Sequence, residues 1–153
     1  MSMIYRFSIF ITGDSYSPIS DIELQDFPVY SYSAWKRNDA YHMNGQSFLY
    51  EYGGSQLLHN SVFAISEKER SQMVEDFVDF LDRAQPLLRA NGVEEIKISV
   101  VAYVSQNTHF VLFTRTEMDK LSRIDNIVVS LDVLCVEEEQ LNSIYDELIL
   151  ERR

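Results

Sequence analysis

The chain has 153 residues, 46% of them hydrophobic and eighteen of them Phe or Tyr (nine each), which is enough apolar surface for one core and excludes a disordered chain. Its 24 acidic side chains against 13 basic ones leave a formal charge of −11, and this balance argues against direct nucleic-acid binding, which needs a concentrated basic face. Five Gly and three Pro exclude a low-complexity chain, and one domain over residues 1–153 is the natural reading.

Residues 3 to 12 alternate, with Tyr5, Phe7, Ile9 and Ile11 on one face, and predict a strand buried on that side. Gly13-Asp14-Ser15 marks a turn and Ser17-Pro18 a loop or short helical start. Val29 to Trp35 has a polar and aromatic period of two and predicts a second strand. Lys36-Arg37-Asn38-Asp39 is a polar turn, Phe48 to Tyr52 a strand ended by Gly53-Gly54, and Ser61 to Ala64 a short strand. Ser66 followed by Glu69 is a capping-box pattern that opens a helix. Met73, Phe77, Leu81, Ala84 and Leu88 form its apolar stripe, Pro86 predicts a bend, and Asn91-Gly92 a left-handed stop.

Ile96 to Val104 alternates again, and the link Ser105-Gln106-Asn107-Thr108 predicts a hairpin with a strand over His109 to Arg115. Thr116 with Asp119 opens a short helix carrying Met118, Leu121 and Ile124. Ile127 to Val136 is the most apolar stretch and reads as the central strand, with Ile127, Val129, Leu131, Val133 and Cys135 on one side. A last helix from about Glu137 buries Leu141, Ile144, Tyr145 and Leu148, its acidic start matching the positive end of the helix dipole. Strands joined by short turns indicate antiparallel pairing, so the expected class is α+β, a mostly antiparallel sheet covered by two longer helices and one short one.

Chemistry-bearing motifs are absent from the sequence. His42, His59 and His109 are dispersed and Cys135 is the single thiol, so no metal site and no cofactor are expected. Cys135 between Leu134 and Val136 reads as core packing, which raises a thiol pKa and makes it inert. Neither a Gly-x-Ser-x-Gly elbow, a phosphate loop nor a dinucleotide turn occurs, and no catalytic residue is assigned. A lone cysteine fits a reducing compartment. No signal-like leader precedes Arg6 and Ser8, and no run reaches the roughly 18 apolar residues of a membrane span, so a cytoplasmic protein without membrane contact is expected. Two patches remain. Glu75, Asp76, Asp79 and Asp82 crowd the outer face of the long helix, where like charges repel, and suit a basic partner. Trp35, Lys36, Arg37 and Asp39, next to Tyr30, Tyr32, Tyr50 and Tyr52, suit a ligand on an aromatic sheet face.

The segments YRFSIFITGDSYSP, WKRND, FLYEY and NTHFVLFTRTEMDKLSRIDNIVVSLDV together resemble DUF4279, a bacterial family of small uncharacterised proteins, over about residues 4 to 136. This chain departs from the family pattern at Asn38, where the turn usually carries Gly. The resemblance implies an α+β bacterial cytosolic domain, and similar small proteins often serve as immunity partners of secreted toxins. It transfers no catalytic residue. The expected function is therefore that of an immunity protein (antitoxin) that neutralises a basic toxin domain, a nuclease above all, by electrostatic attraction without catalysis. The alternatives are a small-molecule-binding domain or unfamiliar enzyme using the aromatic sheet face, and a homo-oligomer built through an exposed sheet edge.

Overall fold

The structure of the protein is a computed structural model that describes residues 1–18, 29–59, 61–106 and 108–152, residues 29–32 in backbone only. The described strands are β1 (Met3–Gly13), β2 (Val29–Trp35), β3 (Ala40–Met43), β4 (Gln46–Leu49), β5 (Gly53–His59), β6 (Glu95–Ser105) and β7 (Ile127–Val136). The helices are α1 (Glu67–Ala90), α2 (Arg115–Leu121) and α3 (Glu138–Arg152). Five strands form one sheet in the order β2-β5-β1-β6-β7, antiparallel except for the parallel pair β6–β7, and β3–β4 is a separate hairpin. The protein is an α+β domain with a mostly antiparallel sheet.

Alternation divides the sheet into two faces. Tyr5, Phe7, Ile9 and Ile11 of β1 pair with Ala102, Val100, Ile98 and Ile96 of β6, and all are buried under α1. α1 brings Met73, Phe77, Leu81 and Leu88 down onto this face, with Ala84 partly buried in the same stripe. Each fully buried side chain of this size stabilises by about 1.5–3 kcal/mol. The helix starts as its sequence dictates: Ser66 Oγ accepts the Glu69 N–H at 3.2 Å, and the Glu69 carboxylate reaches back to the Ile65 N–H at 2.8 Å. It stops at a Schellman motif, with Gly92 N–H bound to Arg89 O, Val93 N–H bound to Leu88 O, and Gly92 at φ +93°. Pro86 lies within the helix, which continues to Ala90.

Among the described residues the opposite face is covered at one end only. α3 buries Leu141 and Leu148 against Ile4, Val62 and Phe63, with Tyr103, Val136, Ile144 and Tyr145 half-buried at the margin. Arg152 clamps its last turn, donating to Ser61 O and Phe63 O and lying 4.2 Å from the Phe63 ring centroid. Nothing among the described residues covers the other end of this face.

The structure corrects several sequence expectations: α2 is opened by Thr114 with Glu117 rather than by Thr116 with Asp119 and ends before Ile124, and the strand expected over Phe48 to Tyr52 is β4, Gln46–Leu49. Residues 109–114 form no strand, because β6 is already paired on both edges by β1 and β7. Instead Phe110, Leu112 and Phe113 pack half-buried against the main core. β7 is an edge strand: Val129, Leu131 and Val133 are 41%, 43% and 40% exposed, since α1 lies over β1 and β6 and leaves this margin bare. Cys135 is accordingly exposed rather than buried. Gly53-Gly54 does not end a strand but begins β5, where a Cβ on Gly53 would sit 2.2 Å from Tyr16 O. Ser61 to Ala64 contributes a single bridge from Ala64 to Tyr5, with Val62 at φ +65°.

Candidate functional site

The uncovered end of the second face is a cleft of about 940 Å³. Its floor is the sheet, where Phe10 and Thr12 of β1, Gln56 of β5 and Glu95 and Lys97 of β6 point the same way by alternation. Its wall is aromatic: Trp35 closes β2, Tyr41 comes from β3, and Tyr50 and Tyr52 from the segment between β4 and β5. Trp35 pairs with Gly54 across the strands, and a Cβ there would lie 2.3 Å from the indole, so glycine lets the ring settle on the backbone. The indole stacks on Tyr50 with centroids 4.9 Å apart, and Tyr41 meets Tyr50 at 4.5 Å. Trp35 Nε1 is buried without a hydrogen-bond partner among the described residues, a donor that a ligand acceptor would satisfy.

The turn between β2 and β3 sets the mouth. Asp39 Oδ2 accepts the Lys36 N–H at 2.7 Å, and Asn38 takes φ +72°, a left-handed conformation that asparagine tolerates in place of glycine. The turn is tied to the wall by Asn38 N–H to Tyr50 O at 2.8 Å and Tyr50 N–H to Asp39 O at 2.9 Å. Asp14, Asp39, Glu94 and Glu95 line the cleft, with Lys97 as the cation among the described lining. Lys97 lies 5.1 Å from the Phe10 ring centroid. Aromatic faces and an excess of carboxylates attract cations.

Of the ligand group expected from sequence, Trp35 and Asp39 line this cleft, whereas Lys36 and Arg37 stand exposed on the turn outside its lining. Tyr50 and Tyr52 line it too, while the side chains of Tyr30 and Tyr32 lie outside the described residues. Tyr41, Asp14, Glu94 and Glu95 were not singled out from sequence. Asn44-Gly45 carried the signal that places Tyr41: both residues have positive φ and make the two-residue turn of β3–β4.

The acidic group on α1 is split. Asp76 faces inward, Oδ2 bound to His59 Nε2 at 2.6 Å and Oδ1 to Gln72 Nε2 at 3.0 Å. Glu75 lies 3.6 Å from Lys120 of α2, and Asp79 and Asp82 are exposed. The His59–Asp76 pair borders a smaller cavity of about 430 Å³. His59 Nδ1 accepts the Ser61 N–H at 3.0 Å, so Nε2 carries the proton given to Asp76 and both ring nitrogens are engaged. That arrangement anchors β5 to α1.

The most buried charge was also missed. Arg70 of α1, 1% exposed, forks onto Glu117 of α2 at 2.9 and 3.2 Å and donates to Leu112 O at 2.7 Å. Burial pushes the Glu117 carboxyl up, but the Arg70 hydrogen bonds and charge, with the Thr114 N–H, hold it below the usual carboxylate range. Burial and the neighbouring Glu67 push the Tyr5 hydroxyl up to about 12. Among the described residues no group of three or more His, Cys, Asp or Glu could hold a metal ion, and no helix is long and apolar enough to cross a membrane. Comparison with protein-family models, curated proteins and solved structures finds no match for this chain.

Proposed function

We propose that the chain is a non-catalytic binding protein that captures a basic protein and neutralises it, as an immunity protein (antitoxin) does with a bacterial toxin domain of nuclease type. The observation that carries this reading is the cleft, where four carboxylates and one ammonium surround an aromatic wall. A Lys or Arg side chain of a partner would lie against the rings and meet Asp39, Glu94 or Glu95, an attraction of about 0.5–2 kcal/mol per cation–π contact. The charge of −11 adds long-range attraction that accelerates encounter with a basic surface by 10-fold or more at low salt. Asp79 and Asp82 are exposed on α1, on the opposite side of the sheet from the cleft, and add to the overall negative charge rather than to the cleft itself.

The test is co-expression and mixing with a basic toxin domain encoded beside this gene. The expected result is protection of the host cell and a complex that weakens steeply with added salt. Replacing Asp39, Glu94 and Glu95 by Asn, Gln and Gln slows association about 10-fold or more while thermal stability is retained. Loss of binding on neutralising Glu75, Asp79 and Asp82 instead would move the site to α1. Absence of any complex at low salt would end the proposal.

A second reading is favoured by the cleft volume of about 940 Å³, near the upper end of small-ligand sites. A small organic cation held by the same rings would raise the melting temperature, and a uniform lack of such shifts across a panel of alkylammonium and guanidinium compounds would remove it.

A further inference from the structure

We infer that the group held in the cleft is dipolar, an arginine whose guanidinium and free α-carboxylate are both recognised, rather than a cation alone. Such a ligand narrows the reading of the cleft as a site for basic groups, on which it rests. Strand pairing sets the floor of the cleft in two rows. One row runs Trp35, Gly54, Thr12 and Glu95 across β2, β5, β1 and β6. The next runs Gln56, Phe10 and Lys97 across β5, β1 and β6, two residues along each strand and so roughly 6.7 Å away.

The two rows present opposite chemistry. In the first, the Trp35 indole lies over Gly54, and the exposed Glu95 carboxylate makes no hydrogen bond or ion pair among the described residues. In the second, Lys97 Nζ has the Phe10 ring beside it but no ion pair, and the Gln56 amide makes no side-chain hydrogen bond, again among the described residues. Glu95 and Lys97 share one face of β6 and do not pair with each other, because alternate positions of a strand carry their side chains apart. Trp35 Nε1 is a further donor, buried and unanswered.

A bare cation meets Glu95 and the aromatic wall but leaves these donors unmet and stands against Lys97 as a like charge. A bare anion meets Lys97 and is repelled by Asp14, Asp39, Glu94 and Glu95. A ligand with a carboxylate on Lys97 and Gln56, joined by a few methylene groups to a cation on Glu95 and the indole, answers both rows. The α-ammonium of a simple amino acid sits too close to its own carboxylate to span them, whereas the side-chain cation of a basic amino acid reaches. Guanidinium suits the first row better than ammonium, since its plane stacks on an aromatic ring while its fork matches a carboxylate. Free arginine and the C-terminal arginine of a peptide present this same pair of groups.

Titration of the native chain with L-arginine, with the tripeptide Gly-Gly-Arg and with the amide of each tests this, binding being followed by Trp35 emission and by calorimetry. At least one free acid is expected to bind saturably, about 10-fold or more tighter than its own amide. Binding of L-arginine without the tripeptide identifies a free amino acid as the source, binding of the tripeptide without L-arginine identifies a chain terminus, and binding of both supports the shared pair of groups. Lys97→Met, at a half-buried position whose change leaves the circular dichroism unaltered, abolishes the preference for acid over amide. The comparison of acid with amide needs no variant and stands if Lys97→Met fails to fold. Acids and amides that bind equally overturn the inference and leave the cleft a site for basic groups. A preference that survives Lys97→Met overturns it as well. Failure of all four compounds to bind overturns it together with the reading on which it rests.

Discussion

The Arg70–Glu117 pair shows how one contact organises this core. An arginine 1% exposed and a glutamate 5% exposed are expensive to desolvate, so the pair is retained only with all its hydrogen bonds made. Removing one partner strands the other, and Arg70→Met is expected to cost about 3–5 kcal/mol, whereas the double change Arg70→Met with Glu117→Leu restores most of the loss. Chemical denaturation of the three variants checks this, and equal losses in single and double variants would contradict it. The pH sign follows from the directions of the shifts. Glu117 titrates below its ordinary value of 4.5 in the folded state, so its contribution is present above 4.5 and is lost as pH falls through the folded pKa. Tyr5 titrates above its ordinary value of 10.0, so its contribution holds below pH 10 and is lost as pH rises toward 12. Tyr5→Phe is expected to flatten that alkaline loss in melting curves between pH 9 and 12. Little of this was readable in the sequence: Arg70 and Glu117 are 47 residues apart, and no local pattern signals a bond that only the α1–α2 packing creates. Trp35 and Asp39, by contrast, were visible because they stand four residues apart, at the end of β2 and in the turn that follows it.

At the scale of elements, local signals located what local physics builds. The start, stripe and stop of α1 follow from Ser66, Met73 to Leu88 and Gly92, and β1 follows from its period of two. Two strands misled for opposite reasons. β5 opens on Gly53-Gly54, which reads as a turn, yet these glycines serve close approach: to Tyr16 O in one case and to the Trp35 ring in the other. β7 reads as central because it is apolar on both faces, yet it lies at the edge. Glycine substitutions separate the two roles a glycine can have here. Gly53→Ala drives a Cβ into backbone and is expected to cost about 1–3 kcal/mol or more, as overpacking does. Gly45→Ala, at φ +75° with nothing within 4 Å, loses only the left-handed preference, about 1–2 kcal/mol. Urea denaturation that found Gly53→Ala neutral would refute the close contact at β5.

For the whole molecule, the 11-residue β1 runs through the middle of the sheet while α3 occupies one end of the second face, and the cleft is what the described residues leave uncovered there. Sequence alone identified the class, the negative charge and part of the aromatic wall. It missed Glu94 and Glu95, which the turn after α1 and the first residue of β6 bring to the rim and floor. The position of the single tryptophan makes the cleft directly observable, since Trp35 is the only indole in the chain and stacks on Tyr50 within it. The decisive measurement is a fluorescence titration of Trp35 with an oligoarginine peptide at low and high salt, with binding followed in parallel by calorimetry. Occupation of the cleft by a cationic chain predicts a saturable change in the indole emission at low salt, lost at high salt and lost when Asp39, Glu94 and Glu95 are made amides. Peptide binding that leaves the emission unmoved would show that basic partners are held elsewhere on the molecule.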